Sequence, residues 1–154
     1  MRFFLAGIMQ GSHRQAVLHD QDYRRRLRAL IEGHIPGADV YDPLSDHRNS
    51  LEYEELTARE VFYRHNRLCR EVDVVVAFVP EASMGTAIEM WEAHEHGQGV
   101  VVCVSPLAHN WAVRYCSHLL YPDLEAMEAE LRKSGRLARR IEDALRGKKG
   151  AEER

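Results

Sequence analysis

An α/β fold, with a mostly parallel sheet wrapped by helices on both faces, is predicted by three observations. Short apolar runs bounded by turn residues alternate along the chain with segments of helical periodicity. The run Asp73 to Val79 (DVVVAFV) is rich in β-branched residues and lacks polar alternation, which marks a central strand covered on both sides. At 154 residues, 45% hydrophobic and 29% charged, the chain suits one domain with a full core.

The elements follow in order. The run Phe3 to Ala6 ends at Gly7 and reads as a buried first strand. The loop Gly7 to His13 follows it. From His19 to Gly33, Tyr23, Leu27, Leu30 and Ile31 recur at helical spacing, and Asp20 and Asp22 lie near the start, where the helix dipole favours acids. Pro36 and Gly37 break the chain before a short strand at Ala38 to Tyr41. Asp42 to Ser50 is polar and turn-rich, and Leu51 to Arg70 reads as a helix. Pro80 ends the central strand, Gly85 to His96 reads as a helix, and Val100 to Val104 is a further buried strand. A short helix at His109 to Ser117, a last strand at His118 to Tyr121 and a helix at Asp123 to Leu131 complete the alternation. Beyond it, Leu137, Ile141 and Leu145 start an amphipathic helix, and the final GKKGAEER is expected to be disordered. The division expected is an α/β domain over residues 1–133 and a charged helix and tail over 134–154.

Composition narrows the function. A formal charge of -3 argues against general binding of a nucleic-acid polymer. The three cysteines form no CxxC pair and read as free thiols in a reducing compartment. The N-terminal MRFFLAGIMQG is too short for a signal peptide or membrane span, so a cytoplasmic protein without membrane association is expected. Nine histidines are present, but His94 and His96 are not an i, i+4 pair and there is no HExxH, so no metal site is expected.

In a parallel sheet, ligands bind beyond the carboxyl ends of the strands, so the loops Gly7 to His13 and Pro80 to Gly85 should face the site. Ser83, Gly85 and Thr86 sit where a strand gives way to a helix, whose unpaired N–H groups and dipole suit a phosphate. Simple capping by Ser83 or Thr86 is the plainer account of the pattern. Glu89 lies one turn further on among apolar neighbours; partial desolvation would raise its pKa and fit it to meet a cationic sugar carbon. A first-turn acid answering the dipole explains the spacing too. Gly7, Met9, Gln10, Gly11 and Ser12 could bring backbone amides to a phosphate, or form an ordinary turn. His65 belongs to a helix that leads into the site, and a surface histidine is the simpler reading there.

Together these residues resemble the nucleoside 2-deoxyribosyltransferase superfamily from FFLAG to PDLEAMEAEL, most specifically in DVVVAFVPEASMGTAIEMWEA followed by VVVCVSP. The resemblance implies a flavodoxin-like, Rossmann-like three-layer fold with a five-stranded parallel sheet. It implies a homodimer whose sites are completed across the interface, no cofactor, and Glu89 as the nucleophile. Where deoxyribosyltransferases carry an acid six residues before the glutamate, this chain has Ser83, as the nucleotide N-glycosidase branch does. Ser117 resembles a phosphate-contacting serine of that branch's partner subunit, which favours a nucleoside monophosphate. Phe4 stands where deoxynucleotide hydrolases have tyrosine; CMP and hydroxymethyl-CMP hydrolases are closer, so a ribonucleotide, CMP, is expected. His65 or Asn66 replaces an aspartate used near the leaving base, so His65 inherits the acid role or help comes from elsewhere. Asp73, which opens the central run, and Asn110, with His109 and Trp111 in a loop able to reach the base, complete the candidate binding residues. A deoxyribosyltransferase, a phosphoribohydrolase of the cytokinin-activating kind (GTAIE without that group's paired glycines) and a nucleotide sensor without turnover are the competing readings.

Overall fold

The computed structural model describes residues 1–9 and 18–152. Five strands form one parallel sheet in the order β2-β1-β3-β4-β5: β1 (Arg2–Gly7), β2 (Asp39–Tyr41), β3 (Val74–Phe78), β4 (Val100–Val104) and β5 (Leu119–Tyr121). Helices α1 (Asp22–His34), α2 (Pro43–Asp46), α3 (Glu55–Glu71), α4 (Met84–Trp91), α5 (Trp111–Cys116), α6 (Leu124–Arg132) and α7 (Arg136–Glu152) connect and follow them. This is the flavodoxin-like three-layer arrangement expected.

Strand periodicity sorts the core into two halves. Phe3, Leu5, Val74, Val76, Val100, Val102 and Val104 face α1, α6 and α7. Phe4, Ala6, Val75, Ala77, Val101 and Cys103 face α3, α4 and α5. Each fully buried Val or Leu contributes roughly 1.5–3 kcal/mol. Burial on both faces explains why these strands read as continuous apolar runs. Cys69, Cys103 and Cys116 are all free and buried, one each in α3, β4 and α5.

Four segments differ from expectation. The helix expected from Leu51 to Arg70 starts only at Glu55, because Leu51 and Glu52 belong to a 3-10 turn. The polar stretch after β2 holds α2, with Asp42 as N-cap accepting from the Leu44 N–H and Pro43 opening the helix, and then a 3-10 turn at Ser50–Glu52. The helix expected to run unbroken from Gly85 to His96 changes to a π-turn over Glu92–His96. Of the final stretch expected to be disordered, residues 147–152 are helical, since α7 continues through Glu152. Leu137 and Ile141 anchor that helix in the core, and Lys148 fastens its far end. No described helix is long and apolar enough to cross a membrane.

The order β2-β1-β3 reverses direction at β1, which opens a crevice beyond the carboxyl ends of β1 and β3. Gly7, the last residue of β1, pairs with Phe78, the last of β3, so both following segments leave the sheet at the same level.

Candidate active site

A cavity of about 390 Å3 lies in that crevice, within the range of small-molecule sites. Gly7 and Met9 line it from β1, Ser83, Gly85, Thr86 and Glu89 from α4 and its cap, and His65 and Asn66 from α3. His47, Ser50 and Tyr53 close it on the β2 side.

Ser83 caps α4 in extended conformation. Its Oγ accepts from the Thr86 N–H at 3.4 Å and from the Thr86 hydroxyl at 2.9 Å. Two lone pairs are thereby used, and the Ser83 O–H remains as a donor. Capping and ligand binding, alternatives in the sequence, are therefore compatible at this residue. An added Cβ at Gly85 would meet nothing within 4 Å, so the first turn of α4 is open.

Glu89 is half-buried in the cavity wall, and no described residue donates a hydrogen bond to its carboxylate. Burial pushes its pKa up to about 7, and the Arg24 guanidinium partly offsets this. The group therefore exchanges between acid and carboxylate near neutrality.

Arg24 is 2% exposed and went unnoticed in the sequence. Its Nη1 donates to Leu5 O at 2.9 Å and Asp42 Oδ1 at 3.0 Å, Nη2 to Gly7 O at 3.1 Å, and Nε to Gln21 Oε1 at 2.7 Å. One side chain thus ties the end of β1 to α1 and to the cap of α2. The run RRRLR reads as a solvated face, yet Arg24, Leu27 and Ile31 follow the spacing of the buried stripe, a signal that could have found it. Gly7 is required for space: a Cβ there would meet the Tyr23 hydroxyl at 2.3 Å.

Two histidines form the wall opposite α4. The Tyr41 hydroxyl lies 3.2 Å from His65 Nε2, the Tyr53 hydroxyl 2.9 Å from His47 Nδ1, and the two imidazoles meet edge to face at 5.1 Å. Burial first, then the proximity of His47 and Arg64, pushes the His65 pKa down to about 4. A value that low favours the neutral ring near pH 7, with the Tyr41 hydroxyl beside Nε2. His47, Tyr53 and Tyr41 were not singled out in the sequence: the turn-rich stretch gives no periodicity that would aim His47 inward, and Tyr41 and Tyr53 fell at the ends of an expected strand and an expected helix.

Other expected residues lie elsewhere. Phe4 is fully buried behind His65, with ring centroids 6.0 Å apart, and does not line the cavity. Asp73 sits at the amino-terminal edge of the sheet, opposite the crevice, where its carboxylate accepts from the Arg2 N–H at 2.7 Å. Ser117 precedes β5 at that same edge and donates to Val113 O. Asn110 caps α5 through the Ala112 and Val113 N–H groups, beside exposed Trp111. Gln10, Gly11 and Ser12 lie outside the described residues. Among the described residues, no group of three or more His, Cys, Asp or Glu side chains could hold a metal ion.

No protein-family model and no curated protein matches the chain. Among solved structures, it is similar to a 2-deoxyribosyltransferase from the psychrotolerant bacterium Bacillus psychrosaccharolyticus, a biocatalyst for nucleoside synthesis. The match has a TM-score of 0.62 at 16% identity and covers 85% of this chain and 96% of the other. At that identity, what the two share is the fold.

Proposed function

We propose that this chain, built on the fold of a 2-deoxyribosyltransferase, breaks the N-glycosidic bond of a nucleoside 5′-monophosphate with Glu89 as the reacting carboxylate. The observation that carries the reading is that Glu89, with its pKa raised to about 7, shares one cavity with the capped, open start of α4. The phosphate docks on the α4 N-terminus, with the Ser83 O–H adding a bond. Anchored there, the sugar presents its anomeric carbon to Glu89, and remote binding energy fixes the geometry. The Glu89 carboxylate attacks C1′, the C1′–N bond breaks with its electron pair on the base, and the base takes up a proton. Water then displaces Glu89 from C1′, giving the sugar 5-phosphate. These steps use no metal or cofactor. On the likeness at Phe4, the substrate is CMP or a related pyrimidine ribonucleotide.

A homodimer is part of the proposal. Met84, Ile88 and Trp91 form an exposed stripe on α4, and Trp111 and Tyr115 another on α5. Ser117 is remote from its own chain's cavity, so the phosphate contact that the resemblance implies for it would be made in a neighbouring copy.

The fold likeness favours a second reading, transfer of the sugar to another base. Incubation with a panel of nucleosides and nucleotides, with and without free acceptor base, separates the two. Hydrolysis predicts free base and sugar phosphate whether or not acceptor is present. A new nucleoside formed only with acceptor establishes transfer, and no base release from any substrate ends the proposal.

A further inference from the structure

The far end of the Glu89 helix is held by the chain's own C-terminal helix. The Lys148 ammonium, on α7, donates to Ala93 O at 2.8 Å, His94 O at 2.8 Å and Gly99 O at 3.0 Å. An ammonium carries three N–H donors, enough to reach all three carbonyls at once. Two of the acceptors belong to the π-turn that ends α4, and the third, Gly99, immediately precedes β4. A cation here also answers the negative end of the helix dipole.

The site is shaped for the contact. Gly97 turns the chain out of the π-turn where a Cβ would meet Ala93 O at 2.8 Å, and at Gly99 a Cβ would meet Val72 O at 2.3 Å. On its other side the same helix end is tied to α3, because Glu92 Oε2 pairs with Arg70 Nε at 2.5 Å. Glu89 lies one turn before Glu92, and its carbonyl accepts the Glu92 N–H. The π-turn therefore sits between two ion-assisted fastenings, one from α3 and one from α7, directly behind the candidate nucleophile.

We propose that Lys148 is a positioning residue for Glu89: α7 reaches past the amino-terminal edge of the sheet and fixes the axial placement of α4 through the carbonyls of its π-turn. The proposal rests on Glu89 being the reacting carboxylate. A charged tail thereby becomes part of the catalytic scaffold, although it reaches the cavity at no point. Misplacement of a reacting group by about 1 Å can cost on the order of a hundredfold in rate.

Lys148→Met keeps most of the aliphatic stem and removes the three donors; Lys148→Arg keeps charge and donors. Each full-length variant is compared with wild type for turnover of CMP and for amide hydrogen exchange. We expect Lys148→Met to lower kcat about tenfold with KM within about twofold, and Lys148→Arg to recover most of that loss. Exchange of the amides from Thr86 to Glu92 should quicken in Lys148→Met, with β1 and β3 unchanged. An unaltered kcat overturns the proposal, as does equal impairment of the arginine variant. If wild type releases base from no nucleotide, the function fails separately, and the exchange still decides the clamp: unchanged α4 protection refutes it. Should Lys148→Met not fold, Lys148→Gln carries the same comparison.

Discussion

Replacing Glu89 by glutamine removes one ionisation and almost nothing else. Raising a carboxyl from its ordinary 4.5 to about 7 corresponds to about 3 kcal/mol of preference for the neutral form. Solvent reaching the group through the cavity mouth reduces this to about 2 kcal/mol. The folded-state value lies above the unfolded one, so the stability tied to this group is complete below pH 4.5 and is lost as pH rises through about 7. Glutamine is neutral throughout and loses nothing. The stability of Glu89→Gln relative to wild type should therefore rise by about 2 kcal/mol between pH 4 and pH 8.5. With a urea dependence of about 2 kcal/mol per molar, that is a midpoint change of about 1 M. Urea unfolding of both proteins at the two pH values reads it directly. A difference that is the same at both pH values would refute the claim that the cavity wall desolvates this carboxylate. The same variant should release no base, while wild-type kcat/KM should climb along an acid limb centred near 7.

Ser83→Asp sets a negative charge at the proposed phosphate cradle; KM for CMP should rise about tenfold or more, with little change for cytidine, and equal KM values for CMP before and after would remove the phosphate from this end. Arg24→Met strands Asp42 and three carbonyl or amide acceptors, at about 3–5 kcal/mol in chemical denaturation. Because Arg24 lowers the Glu89 pKa, the acid limb of this variant should move to higher pH; a limb that stays put would exclude the coupling. Phe4 does not line the cavity and can act only through its neighbours, His65 among them; if the likeness to the hydrolases holds, Phe4→Tyr should still shift use toward deoxynucleotides, tested as the ratio of CMP to dCMP turnover. An unchanged ratio would free the sugar choice from this residue.

The sheet was legible because its chemistry is local. Buried parallel strands must be apolar on both faces, and Val100 to Val104 was bounded to the residue while Asp73 to Val79 was one residue too long at each end. Gly7, Met9, Ser83 and Gly85 could be placed at the crevice for the same reason, since alternation alone sets which strand ends face it. Arg24 was hidden because burial of a guanidinium depends on carbonyls from β1 and a carboxylate from the cap of α2, partners far apart in sequence. Asp73 was grouped with the site although it opens its strand, the end away from the ligand crevice of a parallel sheet; there its carboxylate accepts the Arg2 N–H. The tail was underestimated because Lys148 looks like any solvated lysine until three carbonyls converge on it.

The three sequestered thiols give the molecule an internal clock. Burial raises the pKa of each, so none is a thiolate nucleophile near neutrality. An alkylating reagent can modify them only when the surrounding element opens. Cys103 lies within a central strand and should be labelled at the rate of global unfolding, whereas Cys116 ends a six-residue helix and should be labelled during smaller excursions. Mass spectrometry of a labelling time course therefore separates loosening of the α5 edge from loss of the whole sheet, without any engineered probe.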